Sequence, residues 1–328
     1  MHTQLISKAA AAFLTGCALV AGAVGCTAAT QSTGPAPEPA GVSTTMTDLA
    51  TRSGRWPTGA AQLQAAFDQL DRECLSRAGF RLPSTPKVSL PVPENEAAAI
   101  DLDGRKQHGY GISTPGDSSA ATANPNAYVS SLPSRDQKRF NDVQFGPGAP
   151  RTAVALYGTG RAAVPTAGCV ARARRALAGD VQAWAAISYV PQQLDDQLSR
   201  KASRDASYQA ALARWRVCMA KGGYPYASPE AAVTRLRREH EQGASGSGFR
   251  HLEIAVAVAD GECASRTHLP SILLRARRQL TAQLPAGNLS FLRSVTESWE
   301  SAVARARSVL SDTALHDHAA GSASPPAR

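Results

Sequence analysis

Two segments of this 328-residue chain repeat one pattern at what reads as the end of a helix. Cys74-Leu75-Ser76-Arg77-Ala78-Gly79-Phe80 matches Cys218-Met219-Ala220-Lys221-Gly222-Gly223-Tyr224 at the cysteine, a long apolar residue, a basic residue, a glycine and an aromatic. Upstream of the first copy, Leu63, Phe67, Leu70 and Cys74 fall at helical spacing and give one buried stripe. Upstream of the second, Asp205 is placed as an N-cap before Tyr208, Leu212, Trp215 and Met219. A left-handed glycine just past the last turn, followed by an apolar residue, is the signature of a Schellman cap, so Phe80 is expected to pack on Leu75. The two helix ends align, which reads as an internal duplication.

The N-terminus sets the compartment. Lys8 is followed by an almost wholly apolar run from Ala9 to Ala23 and then by Val24-Gly25-Cys26, the pattern of an export signal. Ala23-Val24-Gly25-Cys26 looks like the lipobox of bacterial lipoproteins, which implies a thioether-linked diacylglycerol on Cys26. A second match at Leu14-Thr15-Gly16-Cys17 would leave only Ala9 to Phe13 as apolar core, below the usual run of roughly 7 to 15 residues. The apolar stretch is also short of the ~20 residues that span a bilayer, and two acyl chains suffice for stable attachment. From Thr27 to about Met46, Thr, Ser, Pro, Gly and Ala dominate without periodicity. Such a flexible tether of around 20 residues reaches roughly 25 Å.

Setting Cys17 and Cys26 aside, four cysteines remain: Cys74, Cys169, Cys218 and Cys263. An even number in an exported chain argues for two disulfides, and four cysteines allow three connectivities. The duplication favours one of them, because each copy is followed by a single later cysteine: Cys74 with Cys169, and Cys218 with Cys263. Zinc is disfavoured by spacings of 95, 49 and 45 residues without any Cys-x-x-Cys pair.

Apolar residues make up 43% of the chain and aromatics only 5%, so the core must be built chiefly from Leu, Val and Ala, a composition that favours helices over strands. The expected architecture is all-α: an irregular helical domain with a long loop-rich insertion, stapled by two disulfides. The expected order is a lipoprotein signal peptide (1–25), a flexible tether (26–47), a first helical half (48–200) with the insertion at 81–165, a second helical half (201–312) and a disordered tail (313–328). Pro191 is expected to break the pattern of 181–198, Ser228-Pro229-Glu230 to open a helix, and Gly243 to Gly248 to form a flexible joint.

Several segments superficially suggest chemistry. Gly158-Thr159-Gly160-Arg161-Ala162-Ala163 resembles a dinucleotide-binding turn, but Val164-Pro165 discourages the helix that must start there. Ser245 sits in a glycine-rich segment without the second glycine or the preceding strand of a nucleophile elbow. His316-Asp317-His318 has no further ligand in view. His240, His251 and His268 lie near helix ends, Asp260 and Glu262 read as a solvent-facing edge, and Trp215 and Trp299 read as core. No catalytic residue, metal or cofactor is assigned. The net charge of +9 comes mostly from Arg, with six Lys in all. Arg172, Arg174, Arg175, Arg235, Arg237, Arg238, Arg275, Arg277 and Arg278 are expected on solvated helix faces. Nucleic acid is disfavoured outside the cytoplasm and in the absence of interleaved aromatics.

Trp215-Arg216-Val217-Cys218-Met219 with Gly223-Tyr224, then Glu253, Ala257-Val258-Ala259-Asp260 and Cys263, together with the lipobox, resemble exported lipoproteins of high-GC Gram-positive bacteria that carry no assigned activity. The resemblance implies location and fold. The expected function is therefore a membrane-anchored binding or scaffold module on the extracytoplasmic face, partnered by an envelope protein complex or an anionic wall polymer. The alternative is a wall-modifying hydrolase whose carboxylates meet only in the fold; a concave pocket holding two acids, one with a raised pKa, would favour it.

Overall fold

Helix α2 (Trp56–Arg77) and helix α8 (Ala206–Lys221) end as the repeated motif predicts. Gly79 and Gly223 both take φ +88°. The Phe80 amide donates to the Leu75 carbonyl at 3.0 Å and the Tyr224 amide to the Met219 carbonyl at 2.9 Å, the long-range bond of a Schellman cap. Phe80 and Leu75 share one buried cluster. Two disulfides join Cys74 to Cys169 and Cys218 to Cys263, with Cα atoms 5.6 and 5.7 Å apart. Each second cysteine is followed three residues later by an arginine that lies over the bridge. Arg172 Nη2 donates to Cys74 Sγ at 2.7 Å and Arg266 Nη1 to Cys218 Sγ at 3.9 Å. Both bridges thus end in a Cys-x-x-Arg, a spacing present in the sequence at Cys169 and Cys263.

The computed structural model describes residues 41–83, 99–113 and 125–321, with the backbone alone for residues 125 and 313–321. Besides α2 and α8, the described helices are α1 (Thr44–Ala50), α3 (Leu102–His108), α4 (Pro125–Ser131), α5 (Ser134–Phe145), α6 (Gly168–Ala178), α7 (Val181–Ala202), α9 (Pro229–Glu241), α10 (Gly246–Thr267), α11 (Leu269–Ala282) and α12 (Ala286–Gly321). Among the described residues one antiparallel hairpin, β1 (Arg151–Ala155) with β2 (Arg161–Pro165), pairs Arg151 with Pro165 and Ala155 with Arg161. The chain is thus an all-α domain stapled by two disulfides. The described part of its loop-rich insertion carries α3, α4, α5 and the hairpin. No described helix is long and apolar enough to cross a membrane.

Two larger cores organise most of the described helices, beside smaller clusters under the hairpin and around the first disulfide. The first buries Leu49, Leu63, Trp184, Leu194, Leu198 and a stripe of α12, namely Leu292, Val295, Trp299 and Val303. The second buries Tyr208, Leu212, Trp215, Met219, Leu236, Phe249, Val256 and Leu269. Helix α11 belongs to both. Its start packs in the second core, while Arg277 pairs with Asp195 of α7 and Arg278 Nη1 donates to Asp48 Oδ1 at 2.8 Å.

Several expectations need correction. Helix α7 runs unbroken through Pro191, because Ile187, Val190, Leu194 and Leu198 are all buried along it. At about 1.5–3 kcal/mol each, their burial outweighs the ~3 kcal/mol cost of an interior proline. Arg277 is only 2% exposed, not on a solvated face, because its Asp195 partner makes burial tolerable. The folded part begins before residue 47, since Ser43 caps α1 and Val42 and Met46 are buried. The glycine-rich joint is short, with α10 starting at Gly246, and α12 continues past Asp312 to Gly321.

Candidate functional site

Residues 99–113 lie within the insertion of the first half, yet they pack on helix α10 of the second. Asp101 Oδ1 accepts from the Gly104 amide at 2.9 Å and starts α3. The helix seats where α10 presents Gly261; a Cβ there would lie 2.9 Å from both Arg105 Cδ and Leu102 Cδ2, so a larger residue would force those α3 side chains to move. Past α3 the chain turns, and its amides converge on Glu253 of α10. Tyr110 and Ile112 donate to Oε1 at 2.9 and 2.7 Å, and the Ser113 amide donates to Oε2 at 2.8 Å. The Ser113 hydroxyl donates to the same oxygen. Glu253 is fully buried. Burial alone would raise its pKa, but the bonds from Ser113, Ile112 and Tyr110 reverse that and hold it below its ordinary value.

Two turns further along α10, Asp260 closes a second network. Its Oδ2 accepts from Arg105 Nη1 at 2.7 Å and from the Tyr110 hydroxyl at 2.9 Å. Its Oδ1 accepts from Trp215 Nε1 at 2.9 Å. Arg105 Nη1 also donates to the Ala257 carbonyl at 2.8 Å. Asp260 is 1% exposed, which overturns its placement on a solvated edge; Glu262 does lie outside and pairs with Arg266 at 2.8 Å. The α10 sequence has apolar residues on every side, so its buried face could not be read from periodicity. Burial first, and then the neighbouring Asp260 charge, raise the Tyr110 pKa.

In front of this network opens a cleft of ≈ 330 Å³, within the range of small-ligand sites. Helix α9 forms one wall with Glu230, Val233, Thr234 and Arg237, and Ala264, Leu269, Pro270 and Leu273 form the other. Ile100, Arg105, Tyr110 and Tyr208 complete it. Tyr208 is 5% exposed. Its hydroxyl has no hydrogen-bond partner among the described residues, and burial, then the Glu230 charge, push its pKa up to about 12.

A second cleft of ≈ 560 Å³ lies beside the first disulfide, lined by Asp68, Asp71, Arg72, Asn126, Asn141 and Gln144 among others. Gln144 Nε2 donates to Asp71 Oδ2 at 2.9 Å, while Asp71 Oδ1 and Gln144 Oε1 are buried without partners. Burial raises the pKa of Asp71 against the opposing bond from Gln144, and burial raises that of Asp68.

The other sequence candidates are dispersed. Trp215 and Trp299 are core residues. His240 stacks on Phe249 at 5.4 Å, His251 is exposed, and His268, at φ +54°, joins α10 to α11. Gly158 to Gly160 form the hairpin turn, so no helix starts there. Ser245 precedes α10 with no strand before it. The side chains of His316, Asp317 and His318 lie outside the described residues, as do Cys26, the signal peptide and the tether as far as residue 40. Sequence reasoning missed Arg105, Tyr110 and Tyr208 as a group, since only the tertiary fold brings α3 to α10. Comparison with protein-family models, curated proteins and solved structures finds no match, so the site stands on its own geometry.

Proposed function

We propose that the chain is a lipid-anchored binding module on the extracytoplasmic face of a cell membrane, moored through Cys26, with the cleft between α9 and α11 as its ligand seat. The observation that carries the reading is the cleft itself. Its polar floor, Arg105–Asp260–Tyr110, is already hydrogen-bonded, so it is preformed and ordering it adds little cost on binding. Two disulfides support an oxidising compartment, and exposed arginines such as Arg235 and Arg238 suit an envelope protein or an anionic wall polymer as a further contact. Metabolic labelling with a fatty-acid probe tests the mooring. Label on the wild type and none on Cys26→Ser is expected; equal label on both, or an unlabelled wild type in the cytosol, would refute it.

One observation favours a second reading, a hydrolase of wall polymers. Asp68 and Asp71 share a cleft, and burial raises both, as a general acid requires. Both carboxyls, however, come from one turn of α2, whereas glycoside cleavage needs acids flanking the bond, and the facing wall supplies Asn141 and Gln144 instead. Release of soluble fragments from purified wall by the wild type, lost in Asp71→Asn, would establish this reading, and no release would remove it.

A further inference from the structure

The wall of the cleft formed by α9 is a single helical stripe: Glu230, Val233, Thr234 and Arg237 stand at i, i+3, i+4 and i+7 on one face. The stripe thus begins with an acid, ends with a base, and is apolar or hydroxyl-bearing between. Glu230 and Arg237 are exposed, and neither has an ion pair among the described residues. Seven residues at 1.5 Å per residue separate them by about 10 Å along the helix, too far for a short ion pair with each other.

Opposite the stripe, Leu269, Pro270 and Leu273 give an apolar wall. Tyr208 supplies one further polar atom. It is almost wholly buried, its ring belongs to the second core, and its hydroxyl lines the cleft unpaired among the described residues. The hydroxyl is open to the cleft and has no bond within the described residues, so a ligand carbonyl arriving there meets a free donor.

Resting on the binding-module reading, we propose that the cleft binds a short peptide with free termini and an apolar side chain. Its ammonium lies against Glu230, its carboxylate against Arg237, its first carbonyl accepts from the Tyr208 hydroxyl, and its side chain enters between Val233 and Leu273. Three extended residues span about 10 Å, matching the rise of α9 between residues 230 and 237. The floor network needs no group from the ligand; it fixes Tyr110 and Arg105 so that the cleft keeps its shape.

The test is calorimetric titration of the full chain in detergent with tri-L-leucine. Saturable one-to-one binding is expected. Capping the amine or amidating the carboxylate should each weaken it about five-fold, as should Tyr208→Phe, which keeps the ring and removes only the hydroxyl. Glu230→Gln should abolish the effect of capping the amine, and Arg237→Gln that of amidating the carboxylate. No binding, or equal binding of the doubly capped peptide, would overturn the proposal, as would leucine amide or isocaproate binding as tightly as the tripeptide. Because lipid labelling of Cys26 is measured separately, failure here leaves the mooring intact, and failure of the mooring leaves this cleft to be judged on its own.

Discussion

The two disulfide frames share a glycine-capped helix end and a bridge, and differ in what they do with the residue one turn before the first cysteine. In the second frame that residue is Trp215, whose indole N–H satisfies Asp260 of the partner helix. In the first it is Asp71, which receives one bond from Gln144 and keeps one buried oxygen unpaired. The staple, the glycine cap and the arginine over the bridge are common to both. The recurring frame therefore encloses a satisfied Asp260 network in one half and an unsatisfied Asp71 pair in the other. Repetition carries the covalent skeleton, and the elements laid over it decide the chemistry.

The largest effects should come from the shared skeleton. The staples close loops of 95 and 45 residues. In the chain-entropy account, replacing each pair by serine costs about 4.7 kcal/mol for Cys74 and Cys169 and about 4.0 kcal/mol for Cys218 and Cys263. Denaturant unfolding of the two double variants should rank them in that order. Similar losses would mean that frames, not loop lengths, set the contribution.

Next comes Glu253, the hub that holds residues 110–113 on α10. Glu253→Ala leaves those amides without their acceptor and should cost about 3 kcal/mol. Hydrogen exchange at Tyr110, Ile112 and Ser113 should speed up while the first frame stays protected. The pH sign is also set: a carboxyl held below its ordinary value of 4.5 contributes stability that is complete above that value and lost as pH falls through the lower folded value. Glu253→Gln should flatten that acid limb. Trp215→Phe, which removes one hydrogen bond to Asp260 and leaves its Oδ1 unpaired, should cost about 1.5 kcal/mol in thermal unfolding with little effect on the first core.

What the sequence made legible follows from locality. The caps at Asp205, Ser228, Gly79 and Gly223 are written within a few residues, and all four appear as expected. The disulfide pairing was legible because the duplicated motif assigned one later cysteine to each copy. Glu253, a lone carboxylate inside the apolar run Leu252 to Ala259, could have been flagged as a buried acid, since such a group persists only when hydrogen-bonded. The cleft was not legible, because Tyr110 and Asp260 meet across 150 residues, and no local pattern in α3 names α10 as its partner. Pro191 misled for the opposite reason: a strong local rule was overridden by burial along α7.

The last effect, comparable in size, is the most diagnostic, because its sign is opposite. Burial raises the Asp71 carboxyl above its ordinary value of 3.8, against the opposing Gln144 bond. Between the two values the folded state holds a proton that the unfolded chain has released, so this residue's contribution falls as pH climbs. The first frame should therefore lose stability toward neutral pH, where the second has regained all of its own. Asp71→Asn removes the titration and adds an N–H that can reach Gln144 Oε1, so both orphaned oxygens disappear in an amide–amide pair. The variant should be about 1–2 kcal/mol more stable than the wild type at pH 7, with the gain shrinking toward pH 4. Chemical denaturation at the two pH values measures it. A variant that is less stable at pH 7 would mean that Asp71 is a satisfied carboxylate, and the contrast between the two frames would collapse to a difference in packing alone.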